Sequence, residues 1–204
     1  MPARAADTLA PEVSSRRDAT RARICAAARD QFLIRGYAAT TIEQIAEAAG
    51  TRRSTLYNHF NDKHAILSAI SEAYLTGVLE IIQQLPGPRP SRRQIDRWLA
   101  DFADFVVRER APTLLIVQFS GGLEAPPATR QFGAAMMRAL ADQLPAFAEA
   151  LEPGQGAAQA RANAVLRELS AALGAHLRDE GGGLAPYMLE VAGDLLEQFV
   201  KGWF

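Results

Sequence analysis

Apolar residues recur at spacings of three and four along nearly the whole chain, the period of helices packed on one side. From Asp18 to Arg35 the stripe is Ile24, Ala27, Ala28 and Phe32, and Gly36 ends it. "ATTIEQIAEAAG" (39–50) opens with Thr40 and Glu43 three apart, the spacing of a capping box, then places Ile42, Ile45, Ala46 and Ala49 on one face before Gly50. In "TRRSTLYNHF" (51–60) only Leu56 and Phe60 are plainly apolar, four apart on one helical face. Asn61 is placed to cap a longer helix through Ile66, Leu67, Ile70, Tyr74, Val78, Ile81 and Leu85, stopped by "PGPRP" at 86–90. Ser91 caps the next, which carries Ile95, Trp98, Leu99, Phe102, Phe105 and Val106. Pro112 suits the first turn of "PTLLIVQF", ended by Gly121 and Gly122. A helix over 127–151 contains Pro145, which kinks or breaks it. After the loop "EPGQG", Val165, Leu166, Leu169, Leu173 and Leu177 form a stripe that ends at "GGG" (181–183). A last helix starts near Pro186 and runs through Leu189, Leu195, Leu196, Phe199 and Val200. The pattern predicts an all-α fold of about nine helices, preceded by a disordered arm over residues 1–17, where no apolar period exists.

Composition changes this picture little. The chain has 204 residues, enough for one large domain or a small one joined to a medium one, and 49% are hydrophobic. A single cysteine, Cys25, excludes an internal disulfide framework and a cysteine-rich zinc module; its helical neighbours Ile24 and Ala28 make it a packed, inert thiol. The N-terminus carries Asp7 and Glu12 and lacks the apolar core of a signal peptide, and no run approaches about 18 uninterrupted apolar residues, so a cytosolic protein is expected.

Charge is more informative than its total. The formal net charge of −1 divides into +3 over residues 1–64 and −4 over residues 65–204. A basic head on an acidic body suits a segment that meets nucleic acid attached to one that does not. Within the head, the order helix, two-turn helix, glycine turn, short polar-faced helix is that of a helix-turn-helix. Leu56 and Phe60 dock the short helix, while Arg52, Arg53, Ser54, Thr55, Tyr57, Asn58 and His59 offer donors and acceptors to base edges and phosphates. Enzyme chemistry finds no footing. The chain has no glycine-rich phosphate loop, no paired metal-binding histidines, no nucleophile elbow and only three histidines, so neither catalytic residue, metal nor cofactor is expected.

The stretch "ICAAARDQFLIRGYAATTIEQIAEAAGTRRSTLYNHFNDKHAIL" resembles the DNA-binding head of the TetR family of bacterial transcription regulators. The likeness rests on Ile24, Ala28, Phe32, Gly36-Tyr37, Thr40-Thr41, Ile45-Ala46, Ala49-Gly50, Leu56-Tyr57, His59-Phe60 and Lys63, and covers about residues 19–67. Two departures concern specificity: Thr51 and Arg52 follow the turn glycine where small residues are usual, and Ser54 replaces the usual glycine. The resemblance implies that Thr41 offers its hydroxyl and N–H to a phosphate and that Tyr57, His59 and Lys63 contact the phosphate backbone. It makes Arg53, with Ser54, Thr55 or Asn58, the reader of base edges, and Arg52 either kind of contact. The residues themselves leave His59 open as a helix-packing histidine and Lys63 as a solvated one. Arg16, Arg17, Arg21 and Arg23 either touch flanking DNA or form a soluble basic tail.

The resemblance further implies three parts: the arm (1–17), the DNA-binding head (18–64) and a larger ligand-binding and dimerisation domain (65–204). A repressor is implied, released from a palindromic operator by a small inducer and dimeric through its last two helices, which places recognition helices about 34–36 Å apart or a multiple of it. Activation, or control by protein partners in place of a ligand, is the alternative. Candidate lining residues for an apolar or amphipathic inducer are Tyr74, Trp98, Phe102, Phe105, Phe119, Phe132, Met136 and Met137, with Gln118 and His176 to orient it. Each apolar one also suits plain core.

Overall fold

The computed structural model describes residues 10–120, 127–178 and 183–202, and these are helical with short connections. In chain order the helices are α1 (Ala10–Arg35), α2 (Ile42–Ala48), α3 (Arg53–Tyr57), α4 (Lys63–Gln83), α5 (Arg92–Arg108), α6 (Arg110–Ser120), α7 (Pro127–Gln143), α8 (Pro145–Leu151), α9 (Gly156–Arg178) and α10 (Ala185–Lys201). The described residues thus hold ten helices rather than nine. Pro145 breaks the 127–151 segment outright: Leu144 takes an extended conformation and α8 begins at the proline, where a missing N–H costs nothing. α1 corrects the expected arm, since it extends back to Ala10. Residues 15–19 are exposed there, so that stretch of the helix carries no apolar stripe for a sequence pattern to find. Residues 1–9 lie outside the described residues.

The chain forms two compact units, Met1–Ile70 and Ser71–Phe204. The division falls inside α4, later than residue 64, because the first turns of that helix belong to the head. Lys63, the opening residue of α4, is tied to head carbonyls as described below. By length and hydropathy α4 could cross a membrane, but its Ile66, Leu67, Val78, Ile81 and Ile82 are buried within the protein.

The second unit is built around one apolar cluster. Trp98, Leu99, Phe102 and Val106 of α5 meet Val78, Ile81 and Ile82 of α4, with Phe132, Met136, Met137 and Leu140 of α7 and Phe147 of α8. Val165, Leu169 and Leu173 of α9 and Leu196 and Phe199 of α10 complete it. The Trp98 indole N–H donates to the Ile81 carbonyl at 2.7 Å, satisfying the one polar atom of a buried side chain. α9 and α10 pack against each other, and α10 also lies on α5. There Arg92 joins Asp96 of its own helix to Asp194 and the Glu190 carbonyl of α10.

Candidate nucleic-acid interface

The head unit is assembled on the apolar face of α1, where Ile24, Ala28 and Phe32 are fully buried. Gly36 and Gly50 close α1 and α2 at φ +82° and +59°, left-handed values that suit glycine. The cap of α2 sits one residue later than the sequence spacing predicts. Thr41 is the cap: its hydroxyl accepts the Gln44 N–H at 3.3 Å and its own N–H donates to Gln44 Oε1 at 2.9 Å. Thr40 is buried instead, with its hydroxyl donating toward the carbonyls of Gly36 and Gln31. The shift has a plain cause: Thr40 is needed in the core turn, and Gln44 fills the return half of the box as well as Glu43 would. It also changes what Thr41 offers. Its N–H is committed to Gln44, and only the hydroxyl proton is left for a phosphate.

α3 is shorter than "TRRSTLYNHF" predicts, spanning Arg53–Tyr57 with Asn58 as its C-cap. Phe60 lies beyond the helix, yet its N–H still reaches the Leu56 carbonyl at 3.0 Å, and both apolar side chains are buried as expected. The cap of α4 is Asp62 rather than Asn61, with the Asp62 carboxylate accepting the Ala65 N–H at 2.7 Å. An ionised oxygen at a helix N-terminus is the stronger partner.

On this frame the exposed residues are Arg52, Arg53, Ser54, Tyr57 and Asn58, with Thr55 and His59 half-buried. Arg53 is not adrift. Its guanidinium pairs with Glu43 at 2.7 Å, donates to the Tyr57 hydroxyl at 3.3 Å and lies 5.4 Å from the centre of the Tyr57 ring. The Tyr57 hydroxyl bond, and after it the Glu43 charge, push its pKa above the usual arginine value.

Three other basic side chains hold the frame itself. Lys63 Nζ donates to the carbonyls of Tyr37, Ala38 and Thr40 at 2.8, 3.0 and 3.1 Å and sits 4.6 Å above the Tyr37 ring. An ammonium has three N–H donors, and three carbonyls take them. The expected phosphate contact by Lys63 is therefore corrected to a brace across the α1–α2 turn. Arg23 donates to the Ala49 carbonyl at 3.1 Å, at the end of α2. Arg21 reaches the His59 carbonyl at 3.3 Å and covers the Phe60 ring at 4.3 Å. Neither is part of a loose basic tail, while Arg16 and Arg17 are exposed. Sequence reasoning missed Glu43 as a partner of Arg53 and these braces, whose partners lie 23 to 38 residues away.

The expected ligand-lining residues fare differently. Tyr74, Trp98, Phe102, Phe105, Phe132, Met136 and Met137 share the buried cluster of the second unit. Tyr74 stacks on Phe105 and Phe132 at 5.6 and 5.7 Å, and Thr113 hydrogen-bonds its hydroxyl at 2.8 Å. Burial pushes the Tyr74 phenol up to about 12, with the Thr113 bond acting the other way. Gln118 is corrected outright: it is exposed at the surface of α6. His176 is half-buried on α9, and the Phe119 side chain lies outside the described residues. Trp98 also borders an open groove of about 350 Å³ with Arg93, Arg97 and Asp101.

Fold and site together define an all-helical protein with a helix-turn-helix head and a larger helical body. Residues 24–70, the DNA-binding head, match the model of the bacterial regulatory proteins of the tetR family. It is 27% identical over 103 residues to the transcriptional activator FasR of Mycolicibacterium smegmatis, a match covering 50% of this chain and 47% of that protein. With the transcriptional regulator TtgR of Pseudomonas putida it shares 44% identity over 54 residues, 26% of each chain. The chain thus matches about half or less of the length of these curated relatives. The fold match runs further. The crystal structure of Thermus thermophilus FadR, a TetR-family transcriptional repressor in complex with lauroyl-CoA, superimposes with a TM-score of 0.55 at 20% identity, over 90% of this chain and 95% of that one.

Proposed function

We propose that the chain is a sequence-specific DNA-binding transcriptional regulator that reads a palindromic operator as a homodimer. The observation that carries this reading is the exposed polar face of α3, on which Arg52, Arg53, Ser54, Tyr57 and Asn58 stand on a helix braced from behind by Leu56. Arg53 is the candidate base reader and Tyr57, His59 and the Thr41 hydroxyl the candidate phosphate contacts. Dimerisation through α9 and α10 is supported by an uncovered apolar stripe on α10: Leu184, just before it, is 73% exposed, Tyr187 65% and Val191 50%. Such a stripe on one helix face is costly to leave in water.

The body is proposed to bind an apolar or amphipathic ligand that releases DNA. The aromatic cluster around Tyr74, with the Thr113 hydroxyl as its polar point, supports that chemistry, and the FadR relative holds an acyl-CoA. A ligand there takes the place of ring–ring contacts and thereby works on the conformation of the unit. Repression is the first reading of the outcome; the activator FasR among the relatives keeps activation as the second.

Selection of bound sequences from a random double-stranded DNA pool at fixed salt tests this. A recovered palindrome is expected. Arg53→Ala then loses roughly tenfold to a hundredfold on the preferred site and little on unrelated DNA. Equal loss on every sequence refutes Arg53 as a base reader. Calorimetry of the purified protein with medium- and long-chain acyl ligands tests the body, and binding confined to highly charged ligands overturns the apolar assignment.

A further inference from the structure

We propose that Glu43 is a positioning residue that sets the sequence selectivity of Arg53 by holding its guanidinium between α2 and Tyr57. The inference rests on the DNA-reading function proposed above and extends it to a residue outside the recognition helix. Glu43 stands in the first turn of α2, ten residues before its partner, and its carboxylate pairs with Arg53 at 2.7 Å. The Tyr57 hydroxyl at 3.3 Å and ring at 5.4 Å hold the guanidinium from the other side. Both charged side chains are largely exposed, 61% and 55%, so the pair contributes little to folding. Its effect falls on where Arg53 points and what it prefers to meet.

That preference follows from charge. A free arginine on a DNA-facing helix is drawn to the nearest phosphate, where it adds affinity on any sequence and carries no information. A carboxylate in contact with the guanidinium opposes the approach of an anionic phosphate. It leaves the remaining N–H donors to neutral acceptors such as guanine O6 and N7. A side chain held from two sides also gives up less rotamer freedom on binding. Glu43 therefore trades general affinity for selectivity.

The test compares the full-length protein with Glu43→Gln, Arg53→Ala and the double variant, on the selected site and on random-sequence DNA across a salt series. Glu43→Gln keeps the size of the side chain and removes its charge. Circular dichroism and thermal unfolding check that the head is intact, because an acidic residue in a first turn also favours the helix N-terminus. Glu43→Gln is expected to bind random DNA more tightly, to steepen the plot of log affinity against log salt by about one counterion and to lower the ratio of specific to non-specific binding by roughly tenfold. In the Arg53→Ala background the same change is expected to have no effect on that ratio. An unchanged slope and ratio in Glu43→Gln, or an equal effect with Arg53 already removed, overturns the proposal while leaving the DNA-reading function standing. A wild-type protein that recovers no motif removes that function, and the inference with it.

Discussion

The head and the body of this chain use their side chains in opposite ways. In the head, buried apolar residues are small in number and polar side chains hold the turns: Lys63, Arg23 and Arg21 all donate to backbone carbonyls at helix ends. In the body, aromatic and aliphatic side chains pack on one another, and the polar groups within, such as the Trp98 N–H and the Thr113 hydroxyl, find partners inside the same unit. A short helix such as α3, five residues long, has too few hydrogen bonds and too little buried surface to be stable alone. Cations that cap exposed carbonyls supply what a core of this size cannot. The larger unit uses the device too, with Arg110 donating to the Leu177 carbonyl in the last turn of α9 at 2.6 Å, but there it adds to a core that already fixes the helices.

The contrast can be broken most forcefully at Leu56, which is fully buried under the recognition helix. Leu56→Ala is expected to cost about 2–5 kcal/mol of head stability and to abolish DNA binding on every sequence, as measured by thermal unfolding and by binding to the selected site. Lys63→Met tests the brace with a smaller effect. Loss of a charged donor shared by three carbonyls is expected to cost about 1–3 kcal/mol, while the slope of log affinity against log salt stays as in wild type. A slope lower by one counterion, with stability unchanged, returns Lys63 to the phosphate backbone.

The smallest effect is expected in the body. The Tyr74 phenol has its pKa raised from its ordinary value near 10 to about 12, so the folded state holds its proton where the unfolded chain has lost it. Stability from this group is complete below pH 10 and falls as pH rises from 10 toward 12. Tyr37 in the head, pushed up to about 12 chiefly by burial, titrates in the same window. Tyr74→Phe is expected to cost about 0.5–1.5 kcal/mol at neutral pH for the lost hydrogen bond and to flatten part of the alkaline decline. Denaturant midpoints at pH 8 and pH 11 measure both.

How far the sequence could be read follows the same division. Helical period placed nearly every helix, and the order of elements from Ile24 to Lys63 disclosed the head, because a helix-turn-helix is written in contiguous residues. The exposed face of α3 was legible for that reason. What escaped notice depends on distance. Lys63 meets carbonyls 23 to 26 residues earlier, and no local pattern separates such a lysine from one that faces water. The spacing of Glu43 from Thr40 fits a capping box, and that of the actual box, Thr41 with Gln44, fits equally well. Only the burial of Thr40 decides between them. In the body, aromatic residues at helical spacing predict burial but say nothing about which rings touch, and polarity alone makes Gln118 a candidate to orient a ligand although it lies exposed on α6.

The placement of tryptophan gives the two units separate optical signals. Trp98 is buried in the body core, 3% exposed, with its N–H bonded to Ile81, an environment that shifts emission toward the blue, and no tryptophan occurs between residues 1 and 97. Trp203, in the second unit, lies outside the described residues. Fluorescence excited selectively at indole therefore follows the loss of the body alone, while far-ultraviolet circular dichroism sums the helices of both units. Overlaying the two curves in one denaturant series reveals whether head and body melt as one cooperative block or in succession, without labelling a single atom.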